Sequence, residues 1–183
     1  MEKLLELDGN ILLWVQEHLR FEGVTYFMKF ITYLGNAGAL WIGVTLLFLI
    51  IPKTRRLGIV CACSLLCTFL IDNVILKNVV ARTRPYEVVE NLQRLIGAQT
   101  DYSFPSGHAG ASFAVAVVIF KEAPKKAGIP ALILAILIAL SRIYVGVHYP
   151  SDVIVGTAVG TIMAVIACMV YHRIVKSKDK IWK

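Results

Sequence analysis

The sequence predicts an all-α membrane protein, a polytopic bundle of five transmembrane helices preceded by N-terminal amphipathic helices. Hydrophobic residues make up 57% of the 183 residues and charged residues only 17%, whereas soluble domains average about 45–50% and about 25%. The mean hydropathy is +0.70. The apolar residues also occur in long blocks, several of which approach the ~20 residues that a membrane-spanning helix needs. Composition and patterning together exclude an ordinary soluble domain.

The first segment, residues 1–35, is predicted to form helices at the membrane interface. Apolar residues such as Leu12 alternate with acidic residues at roughly helical spacing, which is typical of an interfacial amphipathic helix. A second apolar stretch, 27–34, is short and contains Lys29. A sixth span over residues 11–34 is the alternative, and its charges oppose it because ionisable residues are costly inside a bilayer.

The second segment, residues 36–172, is predicted to be the membrane domain. Its five spans are expected at residues 36–52, 57–76, 107–121, 128–146 and 152–172. The third span is short for a bilayer crossing. The fifth contains Gly156-x-x-x-Gly160, a spacing that favours close helix packing.

The connections between the spans predict the orientation. Basic residues concentrate on one side of the predicted membrane: Lys53, Arg55, Arg56, Lys121, Lys125, Lys126 and the basic tail 173–183. Short basic loops stay in the cytoplasm, so we expect a plasma-membrane protein with a cytoplasmic C-terminus. The connections 77–106 and 142–151 are then extracytoplasmic. The net charge of +7 thus indicates topology, and neither nucleic acid nor an obligatory protein partner is predicted.

The first polar motif is Lys77-x6-Arg84-Pro85. On a continued helix, residues seven apart face nearly the same way, and Pro85 should end that helix near Arg84. Two cations on one face just outside the membrane suit a dianion. The alternative is that both side chains extend to the phosphates of lipid headgroups.

The second motif, Pro105-Ser106-Gly107-His108, opens the third predicted span. Ser106 is a good N-cap residue, and Gly107 leaves the backbone N–H groups open to close approach. A helix N-terminus with free amides can bind an anion, and His108 in the first turn could reach it. The alternative is an ordinary capped helix with a polar histidine at the interface.

The third motif is Ser141-Arg142-x5-His148-x3-Asp152. A carboxylate four residues after a histidine can hydrogen-bond one ring nitrogen and orient the other, as in nucleophilic catalysis. The alternative is a structural pair that ties a loop to a helix. A metal site formed by His108, His148 and Asp152 is less favoured, because the neighbouring cations would repel a metal ion.

The three motifs, in this order, resemble the signature of the type 2 phosphatidic acid phosphatase (PAP2) superfamily over about residues 36–172. The resemblance implies that His148 is a nucleophile that becomes phosphohistidine, that Asp152 orients it, and that His108 is the general acid. It also implies a set of phosphate-binding residues and no metal or other cofactor. That set is Lys77, Arg84, Ser106, Gly107 and Arg142.

The resemblance further implies a membrane lipid phosphate as substrate. Undecaprenyl diphosphate is favoured, ahead of phosphatidylglycerophosphate or phosphatidic acid. A lipid phosphotransferase with the same phosphohistidine and a non-catalytic membrane scaffold are the alternatives. Soluble vanadium haloperoxidases share this site, but the predicted spans argue against that activity. The connection 86–104 is expected either to shape access for the headgroup or to be a plain linker.

Overall fold

The computed structural model describes the backbone of residues 2–181 and the side chains of residues 3–175. Helices account for 79% of the chain, and the described residues contain no strand. The helices are α1 (Glu2–Leu19), α2 (Glu22–Leu34), α3 (Ala39–Ile50), α4 (Arg55–Phe69), α5 (Lys77–Val80), α6 (Pro85–Val88), α7 (Gly107–Glu122), α8 (Lys125–Tyr144) and α9 (Pro150–Ile181). A 3-10 turn (Asn36–Gly38) precedes α3, and a π-helical stretch (Leu70–Leu76) joins α4 to α5. The basic side chains predicted beyond residue 175 lie outside the described residues.

The all-helical membrane architecture is confirmed, but the count of five spans is not. Three helical segments in the described chain are long and apolar enough to cross a membrane: Arg55–Val88, Lys125–Tyr144 and Pro150–Val175. A fourth is added if Glu22–Leu34 and Asn36–Ile50, which meet at a bend of 45°, form one broken span. The predicted spans at α3 and α7 are shorter, with 12 and 16 residues. They rise only about 18 Å and 24 Å, against a bilayer core of ~30 Å.

Helix α7 lies at the centre of the bundle, packed against α4, α8 and α9. Its partner α9 runs parallel to it, with Gly156 against the backbone of Ser106 and Gly160 one turn later against Gly110 and Ala114. A Cβ atom at either α9 glycine would collide with α7 backbone. The close packing predicted for the Gly156-x-x-x-Gly160 spacing is therefore confirmed.

Two tight hairpins bring the basic loops to one end of the bundle. Gly58 of α4 packs on Leu49 of α3, and Gly128 of α8 packs on Phe120 of α7. Helix α4 runs antiparallel to α7, and Ser64 Oγ donates to the Ala114 carbonyl at 2.9 Å. Hence the α3–α4 and α7–α8 loops share one end, and the polar motifs lie at the other.

The N-terminal segment forms two helices that separate after residue 19, so the single span over 11–34 considered as an alternative is wrong. Helix α1 is amphipathic, as predicted, but its buried face packs on protein. Leu12 contacts Leu92 and Tyr149, and Val15 joins a cluster with Val147. Helix α1 therefore covers the connections at the polar end of the bundle, because those connections offer the apolar surface that it buries.

Candidate active site

A break after α5 turns the chain back toward the site. Ala81 adopts a left-handed conformation (φ 47°), and its N–H donates to the Lys77 carbonyl at 3.0 Å, which ends the helix as a left-handed cap does. The prediction that the helix continues to Arg84 is therefore wrong. Lys77 and Arg84 nevertheless converge, because the extended residues after Ala81 return Arg84 to the end of α5.

Lys77 and Arg84 meet on one carboxylate, that of Asp101. Arg84 Nη2 donates to Asp101 Oδ1 at 2.6 Å, Arg84 Nε donates to the Asp101 carbonyl at 3.0 Å, and Lys77 pairs with Asp101 Oδ2. Partial burial alone would raise the Asp101 pKa, but the hydrogen bond and charge of Lys77, with those of Arg84, lower it to about 2. The Asp101 carboxylate thus already occupies the position between Lys77 and Arg84, the two residues predicted to bind a phosphate group.

His148 lies beside Arg84 and is only 2% exposed. Its Nε2 is 2.9 Å from Arg84 Nη1, which also donates to the Val147 carbonyl at 2.7 Å. A guanidinium can only donate, so Nε2 is the acceptor and the imidazole proton is on Nδ1. Burial first, and then the charges of Arg84, Arg142 and Lys77, hold the His148 pKa well below its usual value. The ring is therefore neutral at pH 7, as a nucleophile requires.

Asp152 faces the protonated side of this ring and is fully buried. Its Oδ2 is 3.4 Å from His148 Nδ1, an ion-pair distance that is longer than an ordinary hydrogen bond. The same oxygen accepts hydrogen bonds from Ser103 Oγ and, at 3.0 Å, from the Tyr149 N–H. Its Oδ1 accepts from Arg82 Nη1 at 2.6 Å. The carboxylate predicted to orient His148 is thus held by donors from three segments.

Ser106, Gly107 and His108 begin α7 as predicted. Ser106 Oγ accepts from the Ala109 N–H at 3.5 Å, and the Ser106 N–H donates to the Asp152 carbonyl at 3.0 Å. A Cβ atom on Gly107 would lie 2.9 Å from Asn73 Oδ1, so Gly107 packs closely against the Asn73 side chain. His108 Nε2 lies 3.2 Å from Asn36 Oδ1. The spacing of the three motifs does not indicate that Asn36 is a partner of His108.

Arg142 is the third cation and is 1% exposed. Its Nη1 donates to Thr32 Oγ1 at 2.7 Å and its Nη2 lies 3.4 Å from Gln99 Oε1. Its Nε has no hydrogen-bond partner among the described residues. One buried donor of this guanidinium is therefore unpaired within the described part of the chain.

Some of these groups line the polar end of a cleft of about 790 Å³, whereas His148, buried beside Arg84, is not among its lining residues. Lys77, Arg84, His108 and Arg142 lie at this end. The cleft continues between α3 and α4 along apolar side chains, namely Ile42, Leu46, Leu49, Leu65 and Leu66. Its shape suits an amphiphile with an anionic head and an apolar tail.

No group of three His, Cys, Asp or Glu side chains in residues 3–175 is arranged to hold a metal ion. The alternative metal set of His108, His148 and Asp152 is not formed. Lys77, Arg84 and Arg142 place positive charge near both histidines, and Asp101 places negative charge near His148.

The fold and the site define a helical membrane protein with a buried histidine beside a cluster of cations, two of which pair with one carboxylate. The chain belongs to the PAP2 superfamily, whose sequence profile matches residues 56–176. All eight residues predicted for the site fall within this match. Three of the residues that contact the site, Asp8, Thr32 and Asn36, precede it.

Similar proteins agree with this assignment. An undecaprenyl-diphosphatase of Sulfolobus acidocaldarius is 41% identical over 121 residues, which cover 66% of this chain and 58% of the relative. The bacitracin transport permease protein BcrC of Bacillus licheniformis is 30% identical over 150 residues, 81% of this chain and 71% of the relative. The crystal structure of a PAP2-type phosphatidylglycerolphosphate phosphatase from Bacillus subtilis has a TM-score of 0.80 at 23% identity, covering 95% of this chain and 89% of that one. That last likeness supports the fold.

Proposed function

We propose that this protein is a membrane lipid phosphatase that hydrolyses a lipid phosphate or diphosphate through a phosphohistidine at His148. The observation that carries the proposal is the meeting of Lys77 and Arg84 on the Asp101 carboxylate, with the His148 Nε2 lone pair directed to Arg84. A phosphate group that replaced this carboxylate would lie against the histidine. The PAP2 membership supports the same activity.

In the proposed reaction, the substrate phosphate displaces Asp101 from the two cations. Lys77, Arg84 and the free Nε of Arg142 bind the nonbridging oxygens together with the N–H groups at the start of α7, and so stabilise the charge of the transition state. The His148 Nε2 lone pair forms a bond to phosphorus while the bond to the leaving oxygen breaks. His108 in its imidazolium form donates a proton to that oxygen and is left as a neutral imidazole.

The second half of the reaction returns the enzyme to its starting state. Water attacks the phosphohistidine, His108 takes the water proton as general base, and the bond from Nε2 to phosphorus breaks. Asp152 stabilises the Nδ1–H of the charged imidazole during both steps. Free phosphate and the dephosphorylated lipid are the products, and no metal ion takes part.

The substrate class that the cleft supports is a polyprenyl diphosphate. Its apolar end between α3 and α4 would accept the first units of a hydrocarbon tail, and the Sulfolobus acidocaldarius relative is an undecaprenyl-diphosphatase. The active site faces the extracytoplasmic side, because the basic loops that favour the cytoplasm are at the opposite end of the bundle.

A lipid phosphotransferase would use the same phosphohistidine, with another hydroxyl compound in place of water. A non-catalytic scaffold gives no reason for two histidines beside three cations. Neither does a carrier, the role in the name of the Bacillus licheniformis relative. Release of free phosphate without an added acceptor separates the phosphatase from both alternatives.

The test is phosphate release by purified protein from a panel of lipid mono- and diphosphates. We expect turnover of undecaprenyl diphosphate, inhibition by vanadate, and no loss of activity with a chelator. His148→Ala should abolish turnover together with any trapped phosphoenzyme. Glu90→Gln, an exposed change in the same extracytoplasmic connection as Asp101, is the matched control and should behave as the unchanged protein. An active His148→Ala protein would refute the proposal.

A further inference from the structure

Arg82 lies between two buried carboxylates, one on the first helix and one beside the nucleophile. We propose that Asp8 is a positioning residue, which acts through Arg82 to fix Asp152 and thereby His148. This inference rests on the proposed function, because it assigns Asp8 a part in the chemistry of His148. It makes helix α1 a component of the catalytic unit, although α1 lies outside the family match.

The first step is the contact between α1 and the start of α9. The Asp8 side chain is 3% exposed and its Oδ2 accepts from Arg82 Nη2 at 2.8 Å. Its Oδ1 accepts from the Ser151 N–H at 3.1 Å, and Oδ2 also accepts from Ser151 Oγ. The first N–H groups of a helix have no partner within that helix. Asp8 therefore caps α9 from another helix.

The second step is the geometry of Arg82. Its Nη1 donates to Asp152 Oδ1 at 2.6 Å and to Ser151 Oγ at 2.7 Å. The guanidinium lies over the Tyr149 ring, 3.7 Å from the centroid. The planar fork of an arginine fixes two acceptors relative to each other. Asp8 on α1 and the Tyr149 ring together hold the Arg82 guanidinium in place. Helix α1 therefore helps to determine the position of Asp152 Oδ1, which accepts from that guanidinium.

The third step connects Asp152 to the nucleophile. Arg82 holds Oδ1 of the Asp152 carboxylate, and Ser103 Oγ and the Tyr149 N–H hold Oδ2. In this position Oδ2 lies 3.4 Å from His148 Nδ1. Removing one member of a buried charge network leaves its partner uncompensated. Without the Asp8 charge, Asp152 would be the one ionic partner left to Arg82 among the described residues, and the guanidinium would shift from its present orientation. We expect that shift to change the Asp152–His148 geometry.

The test compares Asp8→Asn with Gln16→Ala. Gln16 is also on α1 and ties it to the Asn91 carbonyl at 2.9 Å and to the Gln93 N–H at 2.7 Å, without a contact to Arg82 or Asp152. We expect Asp8→Asn to lower kcat by about 10-fold or more, since small displacements of reacting groups cost this much, while KM stays within about twofold. Gln16→Ala should leave both constants unchanged. A fall in kcat for both variants would mean that Asp8 only anchors α1.

A double mutant measures whether Asp8 acts through Asp152. In an Asp152→Asn background, adding Asp8→Asn should cost no further activity, because residues that act as one unit are not additive. Independent, multiplicative losses would overturn the proposal.

A readout without turnover separates this inference from the proposed function. The ¹⁵N and ring-proton NMR signals of His148 should shift in Asp8→Asn and stay in place in Gln16→Ala. Unshifted signals would overturn the positioning role even in an active enzyme. Shifted signals in a protein that releases no phosphate would overturn the phosphatase proposal and retain the positioning role. Should Asp8→Asn not fold, Asp8→Glu serves instead, since it moves the carboxylate by one methylene group, and the same shift is expected.

Discussion

At the scale of single residues, the contact between Arg84 and His148 fixes both the tautomer and the protonation state of the proposed nucleophile. Arg84 Nη1 is 2.9 Å from Nε2 and can only donate, so the lone pair that would attack phosphorus points toward the anion site. In the resting protein this lone pair is engaged with Arg84. A bound phosphate would draw the guanidinium onto its own oxygens and free Nε2 for attack.

The same contact predicts a pH effect. Burial and then the positive charge of Arg84 lower the His148 pKa, so removing that charge should raise it. In Arg84→Gln we expect the acidic limb of kcat/KM to move to higher pH by about one unit, besides an overall loss of activity. The substrate ionises in the same way with the unchanged protein and with Arg84→Gln, so it does not contribute to the difference between their pH profiles. Arg84→Lys keeps the charge and should leave the limb near its original pH. If the acidic limb of the kcat/KM pH profile stayed at the same pH in Arg84→Gln, it could not be assigned to His148.

Asp101 gives a second prediction at this scale, because its carboxylate must leave Lys77 and Arg84 before a phosphate can bind. If a site is open in only a fraction of the molecules, its apparent dissociation constant is the intrinsic constant divided by that fraction. We expect Asp101→Asn to lower both KM and the inhibition constant of vanadate by about threefold to tenfold. Glu90→Gln removes the same charge from the same connection at an exposed position and should change neither constant. Unchanged constants in Asp101→Asn would show that the carboxylate does not compete with substrate.

At the scale of the elements, the parallel pair of α7 and α9 sets the distance between the two histidines. His108 begins α7, and His148 precedes α9 by two residues, so sliding one helix along the other would separate them. The contacts of Gly156 and Gly160 with α7 backbone prevent such sliding because there is no side chain to yield.

This packing can be tested with Gly160→Ala. Its Cβ atom would meet the Gly110 carbonyl, and the Ala114 nitrogen at 3.0 Å, and overpacking of this kind costs about 1–3 kcal/mol. We expect a lower thermal midpoint and lower activity. Gly43→Ala on α3 adds the same methyl group where nothing lies within 4 Å and should be neutral or slightly stabilising. Equal behaviour of the two variants would contradict a role for the glycine contact.

The helices also show how much of the fold and of the candidate site the sequence predicts. The three motifs identified the cations, the histidines and Asp152 because each combines a spacing with a helix start or end. The break at Ala81 was missed, since the residue is not a glycine and nothing nearby marks a helix end before Pro85. The span predicted at residues 36–52 is longer than α3, which covers only Ala39–Ile50, whereas the span predicted at 107–121 agrees with α7 to within one residue.

Partners far away in the chain left no signal in the sequence. Arg82 lies inside the first motif, but its spacing does not distinguish it from a lipid-facing cation. Asp8 and Thr32 are on N-terminal helices, and their contacts with Arg82 and Arg142 depend on the tertiary fold alone. An amphipathic pattern indicates that a face is buried without indicating whether protein or lipid covers it.

At the scale of the whole molecule, the polar and basic ends of the bundle make the proposed orientation testable. Tyr102 is 47% exposed at the site end, and Lys53 lies in the α3–α4 loop at the other. With the exposed Cys63 and Cys67 replaced by alanine, Tyr102→Cys should react with a membrane-impermeant maleimide in intact cells. Lys53→Cys should react only after lysis. The opposite pattern would place the site in the cytoplasm and contradict the orientation proposed from the basic loops.

The cap that Asp8 provides for α9 also imposes an order on biosynthesis. Asp8 and Ser151 are separated by 143 residues, and at ~5–20 residues per second the ribosome needs roughly 7–30 s to add that stretch. During this interval α1 has emerged while its partner on α9 does not yet exist. Its amphipathic pattern suits a temporary stay at the lipid surface, from which it can dock once the last helix is inserted. The Asp8 carboxylate, which is buried in the finished protein, therefore lacks its partner on α9 until the last helix has been made.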